Sequence, residues 1–135
     1  MGVANDKSIA WGIARQCANF GAELAFTYQN DLLLKRIEPL AKSVNSDFLI
    51  QCDVSEEGST EKAFKKIKEK WGKIDFFVHA VAFADKNELR GKYVNTSKDN
   101  FLNSLNISCY SFTESCKFCY ELMEDGGSIL TLTYY

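Results

Sequence analysis

Short apolar runs alternate with segments of helical periodicity along most of this chain, and that order restricts the fold more than any other feature. The runs cover residues 23–28, 47–54, 74–81 and 128–134. The run from Ile74 to Val81 is the most apolar, and its hydrophobicity is continuous rather than alternating. Continuous apolar strands are typical of parallel sheets that are covered on both faces. The pattern therefore predicts a parallel sheet between two layers of helices.

Four segments with helical spacing complete this pattern. They are a segment from Ile9 to Phe20 followed by Gly21, a stripe of Leu33, Ile37, Leu40 and Ala41 with Pro39 near its last turn, a segment carrying Ala63, Phe64, Ile67 and Trp71, and a long segment from about Ser97 to Met123. The order α-β-α-β-α-β-α-β predicts a Rossmann-like, doubly wound α/β fold with three α/β/α layers. Residues 1–135 are interpreted as part of a single domain of this kind.

The chain opens on a loop of mostly small residues, Gly2–Ser8, that enters the first helix with no strand in front of it. In nucleotide-binding α/β folds a strand delivers this loop, and that strand lies in the middle of the sheet. We therefore expect an incomplete sheet with an empty central slot and two unpaired strand edges. The sequence is interpreted as a fragment whose first strand is missing, and we expect it to be unstable alone.

Composition excludes several classes of function. The net charge of −2 comes from interspersed acidic and basic residues, so neither nucleic acid nor an anionic membrane is an expected partner. No apolar run approaches the roughly 20 residues of a membrane-spanning helix, and five scattered cysteines suit a reducing compartment, so we expect a cytoplasmic protein. Cys116 and Cys119 lie one helical turn apart without a second ligand pair, so no metal site is predicted.

Three positions are candidates for nucleotide contacts. A helix N-terminus with free N–H groups behind a loop of small residues can bind a phosphate, although an ordinary cap at Ser8 or Asp6 explains the same residues. Gln29 follows the first apolar run, at the position where an acidic residue usually selects NAD and a nearby arginine usually selects NADP. No cationic residue is adjacent to Gln29, which favours NADH. Asp53 can accept from an adenine amino group beside Val54, or it can cap the next helix; the two interpretations are equally weighted.

Candidate catalytic side chains are few. Tyr110 and Lys117 have a spacing that places a phenol and an ammonium on one helix face, but they lie within a helix and away from strand ends, so the pair is rejected. Tyr134 is the last residue of the final apolar run, at a strand end, and is better placed; the alternative interpretation is an aromatic residue of the core. His79 is the only histidine and lies among apolar residues, which favours a structural role over a catalytic one.

Three stretches together carry a family resemblance. They are residues 8–14 (SIAWGIA), 21–29 (GAELAFTYQ) and 127–134 (GSILTLTY), with 51–54 (QCDV) and Phe83-Ala84 in register. The chain closely resembles the NADH-dependent enoyl-acyl-carrier-protein reductases of bacterial fatty-acid synthesis, which are atypical short-chain dehydrogenases/reductases. The resemblance spans essentially the whole chain and covers roughly the first half of a family member, which implies that the C-terminal half of the domain is missing.

This resemblance implies a homotetramer that reduces the trans-2 double bond of an acyl-carrier-protein thioester with NADH. Its implied contacts are Gly2, Ser8 and Ile9 along the pyrophosphate, Gln29 at the adenosine, Asp53 and Val54 at the adenine, Ala80, Val81 and Ala82 at the ribose and nicotinamide, Phe83 and Ala84 at the acyl pocket, and Tyr134 as the first of two active-site tyrosines. Family members often have glycine at the position of Ala82.

The family's second tyrosine and its lysine would lie beyond Tyr135, so the resemblance also implies that this chain is inactive alone. The alternative interpretation is a non-catalytic remnant or split-gene product. Such a chain would bind nucleotide weakly or associate with a complementary fragment.

Overall fold

The computed structural model of the chain describes residues 1–133 and contains four strands between helices. The elements are α1 (Ile9–Asn19), β1 (Ala25–Tyr28), α2 (Asp31–Ser43), β2 (Phe48–Gln51), α3 (Ser59–Trp71), β3 (Phe76–His79), a 3-10 turn (Tyr93–Asn95), α4 (Lys98–Leu105), a π-helical turn (Asn106–Tyr110), α5 (Ser111–Tyr120) and β4 (Ser128–Thr131). Each strand is shorter than the apolar run that predicted it.

The strands form two parallel pairs. β1 pairs with β2, with Phe26 opposite Leu49, and β3 pairs with β4, with Phe77 opposite Ile129. β1 and β3 do not pair with each other, and an apolar groove of about 360 Å³ lies between them. The parallel strands alternating with helices confirm the predicted α/β class, and the two separate strand pairs agree with the predicted gap in the sheet.

Helices cover both faces of the strands, because successive strand residues point to opposite sides. On one face Phe26 packs with Trp11 of α1 and Ile37 of α2. On the other face Ile50 and Phe77 pack with Phe64 of α3 and with buried residues of α5. Both cores contain residues from both strand pairs, so the two half-sheets share one three-layer arrangement.

Helix termini follow local sequence signals in two cases and depart from them in a third. Gly21 has a φ of +87° directly after the C-cap of α1, as predicted for a helix-terminating glycine. The Asn30 side chain accepts hydrogen bonds from the backbone of Leu32 and Leu33, both at 3.1 Å, and so caps α2. The N-cap of α3 is Gly58, with φ +74°, although the nearby Ser55, Ser59 and Thr60 are residue types that favour this position.

The predicted long helix is interrupted. A π-helical turn at Asn106–Tyr110 separates α4 from α5, and the helix ends at Tyr120 rather than near Met123. A π-helical turn contains an extra residue relative to the α-helical repeat and rotates the side chains that follow it. No helix among residues 1–133 is both long enough and apolar enough to cross a membrane.

All five cysteines are free thiols. Cys119 is fully buried, and burial raises its pKa to about 12. Cys116, one turn earlier in α5, is partly buried. Within residues 1–133 no group of three histidine, cysteine or acidic side chains is arranged to hold a metal ion.

Candidate functional site

Gly2 brings the predicted cofactor loop into close backbone contact with Ala80, directly after β3. The Met1 amine donates to the Val78 carbonyl at 2.8 Å, and the Ala80 amide donates back to the Met1 carbonyl at 3.1 Å. Gly2 follows with φ +96°, and a Cβ built on it would overlap the carbonyl of Ala80. Only glycine fits this backbone conformation and this contact without strain. The loop is therefore held directly against the carboxyl end of β3.

The loop then delivers the N-terminus of α1 with its first amides free of a side-chain cap. Ser8 occupies the N-cap position, but its hydroxyl donates to the Asn5 carbonyl at 2.7 Å and accepts no bond from the helix. The first helical amides therefore remain available to an external acceptor. Ile9 is 71% exposed beside them. Free amides and a positive dipole end are what a pyrophosphate binds.

A side-chain pair joins the ends of β1 and β2. The Gln29 amide nitrogen donates to Asp53 Oδ2 at 2.8 Å, although 24 residues separate the two in sequence. The other carboxylate oxygen, Oδ1, accepts from the Ser55 amide at 2.9 Å and from its hydroxyl at 2.6 Å. Gln29 and Asp53 were both predicted as nucleotide contacts, but their bond to each other was not predicted.

The carboxylate of Asp53 is held in its charged form. Partial burial raises its pKa, but the hydrogen bonds from Ser55 and Gln29 outweigh burial and lower the pKa below its usual value. The carboxylate does not cap α3, because Gly58 is the N-cap and the Asp53 backbone amide instead donates to Ser59 Oγ at 2.9 Å. The predicted helix-cap alternative for Asp53 is therefore wrong. Val54 lies beside it, packed on the core of the α3 face.

The segment after β3 contains the five positions predicted to face the reactive end of the cofactor and the acyl group. Ala80 and Val81 are partly buried and Ala82 is exposed. The amide of Phe83 donates to Ser108 Oγ at 3.0 Å, and the Ser108 hydroxyl donates to the Phe83 carbonyl at 3.2 Å. The Phe83 ring itself is 47% exposed, and Ala84 is partly buried.

Ser108 lies in the π-helical turn, and sequence analysis missed it. In the sequence Ser108 is an ordinary serine within a predicted helix. The turn that aims its side chain at Phe83 depends on tertiary packing, so the sequence does not reveal this contact.

The following loop is anchored in the same way. Asn100 Oδ1 accepts from the Asp85 amide at 3.0 Å, and Glu88 accepts from Ser97 at 2.7 and 2.8 Å. The polar stretch from Asp85 to Ser97 is thus tied to the start of α4.

His79 is buried at the end of β3 and bonds to two neighbouring elements. Its Nε2 lies 2.8 Å from Ser111 Oγ at the start of α5, and its Nδ1 lies 3.3 Å from Thr131 Oγ1 in β4. The Ser111 hydroxyl donates to the Ile107 carbonyl at 2.6 Å, so it accepts from Nε2–H. Burial and the nearby N-terminal amine lower the pKa of His79 to about 4. These contacts support the structural role predicted for this histidine.

The predicted catalytic candidate Tyr134 lies outside the described residues. Tyr110, of the rejected tyrosine and lysine pair, is exposed in the π-helical turn, and Lys117 lies over the ring of Phe118, 5.5 Å from its centroid. These contacts give no support for the pair as a site.

The remaining predicted positions share one edge of the structure. The loop at Gly2 abuts the carboxyl end of β3, Gln29 and Asp53 follow β1 and β2, and the segment from Ala80 to Ala84 continues β3. Ligands of open α/β sheets bind outside the carboxyl ends of the strands. Free helix amides, a polar pair and a mostly apolar segment on this edge have the chemistry to bind a phosphate, a ribose or base, and an apolar group.

Comparisons with known proteins give a family assignment. The profile of the family described as Enoyl-(Acyl carrier protein) reductase matches residues 2–135. The chain is 60% identical over 134 residues to enoyl-acyl-carrier-protein reductase (NADH) 2 of Rhizobium meliloti, covering 99% of this chain and 50% of that protein. It therefore spans about half the length of the curated relatives it matches.

Solved structures agree with this assignment. The FabI structure from Candidatus Liberibacter asiaticus has a TM-score of 0.97 at 54% identity, covering 99% of this chain and 52% of that chain. A reductase from Anaplasma phagocytophilum, crystallised in complex with NAD, has a TM-score of 0.96 at 55% identity, covering 99% and 51%. The chain belongs to the enoyl-acyl-carrier-protein reductase family.

Proposed function

We propose that these residues form the cofactor-binding part of an NADH-dependent enoyl-acyl-carrier-protein reductase, which reduces the trans-2 double bond of an acyl thioester. The observation that carries this proposal is the contact of Gly2 with the Ala80 carbonyl beside the uncapped N-terminus of α1. That contact leaves free helix amides at the strand edge where dinucleotides bind. In this proposal residues 1–135 are one partial NAD-binding domain.

The charge at the ends of β1 and β2 supports NADH over NADPH. Asp53 is ionised and lies 2.8 Å from the Gln29 amide nitrogen, so a 2′-phosphate placed here would meet a negative charge. A ribose hydroxyl or an adenine amino group would instead find a neutral amide and a hydrogen-bond acceptor. Gly2, Ser8 and Ile9 are proposed to bind the pyrophosphate, with Gln29, Asp53 and Val54 at the adenosine.

The segment after β3 is proposed to line the reactive end of the site. Ala80, Val81 and Ala82 would face the ribose and nicotinamide, and Phe83 and Ala84 would border the acyl group. Ser108 fixes the Phe83 backbone through two hydrogen bonds, which supports a defined position for this border. Tyr134 is proposed as a substrate-side tyrosine.

The reduction itself is proposed to require the whole length of a family member. This chain spans about half of its curated relatives, so the rest of the proposed active site belongs to the other half. On the basis of family membership, we also propose that the whole protein is a cytoplasmic homotetramer. The exposed apolar side chains of Phe101, Leu102 and Leu105 on α4 support a contact with another subunit.

Cofactor binding by the 135-residue chain tests the proposed site. Circular dichroism first establishes that the chain is folded, and NADH and NADPH are then titrated by fluorescence and calorimetry. We expect tighter binding of NADH, weakened in Asp53→Ala and unchanged in Asp125→Ala, an exposed carboxylate paired with Lys73. A folded chain that binds neither nucleotide would contradict the proposal.

A chimera tests the proposed reaction. Residues 1–133 replace the matching part of the Rhizobium meliloti relative, and NADH consumption is followed with an enoyl thioester. We expect the chimera to retain activity, and the same chimera carrying Asp53→Ala to have a higher KM for NADH. A folded, tetrameric chimera without activity would show that this chain does not supply a functional cofactor half.

A further inference from the structure

Two serines of the π-helical region hold both ends of the segment that leaves β3. Ser108 lies within the π-helical turn, and its hydroxyl bonds to the Phe83 amide at 3.0 Å and to the Phe83 carbonyl at 3.2 Å. Ser111 begins α5, and its Oγ lies 2.8 Å from Nε2 of His79, the last residue of β3. Residues 80–82 therefore span the distance between two contacts made by the same turn and the residue directly after it.

The middle of this span depends on its two ends. Within residues 1–133 neither Val81 nor Ala82 makes a hydrogen bond. Val81 is partly buried and Ala82 is exposed, so packing fixes only one of them. Before them the Ala80 carbonyl abuts Gly2, and after them the Phe83 backbone is bonded to the π-helical turn. A change at either end would therefore move the residues between.

The π-helical turn and the Ser111 hydroxyl support each other. The Ser111 amide donates to the Asn106 carbonyl, five residues back, rather than to the carbonyl four residues back as in an α-helix. That carbonyl belongs to Ile107, and it accepts from the Ser111 hydroxyl at 2.6 Å instead. A serine hydroxyl bonded to the carbonyl four residues back competes with the backbone and bends a helix. The serine thus favours the π-helical backbone over a regular α-helix here.

The ring of His79 aims this hydroxyl. The Ser111 hydroxyl donates to Ile107, so it accepts from Nε2–H of His79. Nδ1 is then the acceptor of a neutral ring, and it lies 3.3 Å from the Thr131 hydroxyl in β4. His79 and Ser111 are each 1% exposed, so water does not replace the bond between them. The bond therefore fixes the π-helical turn against the end of β3.

We propose that Ser108 and Ser111 are positioning residues, which act through Phe83 and His79 to fix residues 80–82 at the nicotinamide of the bound cofactor. Reacting atoms must be held about 3–3.5 Å apart, and a displacement of about 1 Å can lower a rate about a hundredfold. The bonds of the two serines lead to β3 and the segment after it, so they leave the adenosine end of the site unchanged. This inference rests on the proposed function, because the nicotinamide contact is itself proposed.

The test uses the chimera of residues 1–133 with the remainder of the Rhizobium meliloti relative. In Ser108→Ala and Ser111→Ala we expect kcat to fall about tenfold to a hundredfold, while KM for NADH changes less than about twofold. NADH with deuterium at the transferred position should give a larger isotope effect on kcat, because hydride transfer becomes the slow step. A loss of folded protein would instead lower the number of NADH-binding sites and leave the isotope effect unchanged.

Two control variants separate positioning from packing. Ser115 is fully buried one helical turn after Ser111, and its hydroxyl contacts the Met1 sulfur at 4.0 Å. Ser115→Ala should therefore leave kcat and the isotope effect unchanged. Ser108→Thr keeps a hydroxyl at a half-buried position and should restore most of the kcat that Ser108→Ala loses.

Hydrogen exchange measures the two contacts without any need for activity. Peptides that cover residues 80–84 should exchange faster in Ser108→Ala and Ser111→Ala than in the unsubstituted chimera. The same peptides should be unchanged in Ser115→Ala. An unsubstituted chimera that is folded but inactive would contradict the proposed function, and faster exchange in the two variants would still support the contacts.

Three outcomes would overturn the inference. The first is unchanged exchange of residues 80–84 in both Ser→Ala variants. The second is faster exchange with an unchanged kcat and isotope effect in an active chimera, which would show that these residues do not position the reaction. The third is a folded Ser108→Thr chimera that is as slow as Ser108→Ala, because the hydroxyl would then not be the group that matters.

Discussion

Replacing Gly2 with alanine tests the backbone contact on which the candidate cofactor site depends. The new Cβ would overlap the Ala80 carbonyl, and the backbone would have to keep a φ of +96° that L-residues rarely adopt. Residues held in such conformations cost about 1–3 kcal/mol, and overpacking against atoms that cannot move adds about 1–3 kcal/mol. We therefore expect Gly2→Ala to lower the free energy of unfolding by roughly 2–6 kcal/mol.

Local detachment would set an upper limit on this loss, because a chain that released the segment Met1–Val3 from β3 would escape the strain. Val3 is 7% exposed and would then lose its burial. Exposing a buried valine costs about 1.5–3 kcal/mol, and the two hydrogen bonds of Met1 would be lost as well. In that case the amine pKa returns from about 6 toward 8, which separates detachment from global strain.

Gly12→Ala is the matched control. Gly12 lies inside α1, and an added Cβ would meet no atom within 4 Å. Alanine is favoured over glycine in a helix by about 0.5–1 kcal/mol, so this variant should be more stable than the unmodified chain. Urea unfolding measures both variants, and titration by NMR follows the amine. A Gly2→Ala chain with unchanged stability and an amine pKa still near 6 would refute the close contact with Ala80.

Three further predictions follow from the contacts of the site. The pKa of His79 is about 4 in the folded chain, below the value of 6.5 in the unfolded chain, so the free energy of unfolding should fall by up to about 3 kcal/mol as the pH drops from 6.5 to 4. Urea unfolding at a series of pH values measures this loss, and His79→Gln should make it smaller. Gln29→Lys places a cation beside the ionised Asp53, so the ratio of NADPH to NADH affinity should rise several-fold in nucleotide titrations, whereas Gln51→Lys, exposed on β2, should change it less. Ser108→Ala removes both bonds to the Phe83 backbone and should increase hydrogen exchange at Phe83 without a comparable change at Phe77; equal exchange at Phe83 in both chains would contradict an anchoring role.

The sequence predicted the fold where short-range patterns decide it. The continuous apolar run around Phe77 predicted a strand covered on both faces, and Phe77 does pack on the α3 face while Phe76 packs on the other. Gly21 and Asn30 mark a helix end and a helix start through local backbone chemistry, which is also readable from sequence. These features depend on neighbouring residues and on the period of the strand or helix.

Features that depend on distant partners were not predictable in this way. The bond between Gln29 and Asp53 joins residues at two strand ends, and the sequence gives their positions but not their mutual orientation. The π-helical turn that aims Ser108 at Phe83 interrupts a segment whose composition is ordinary for an α-helix. The Asp53 error has a local cause, because Asp-x-Ser also forms a turn in which the carboxylate binds the serine two residues on.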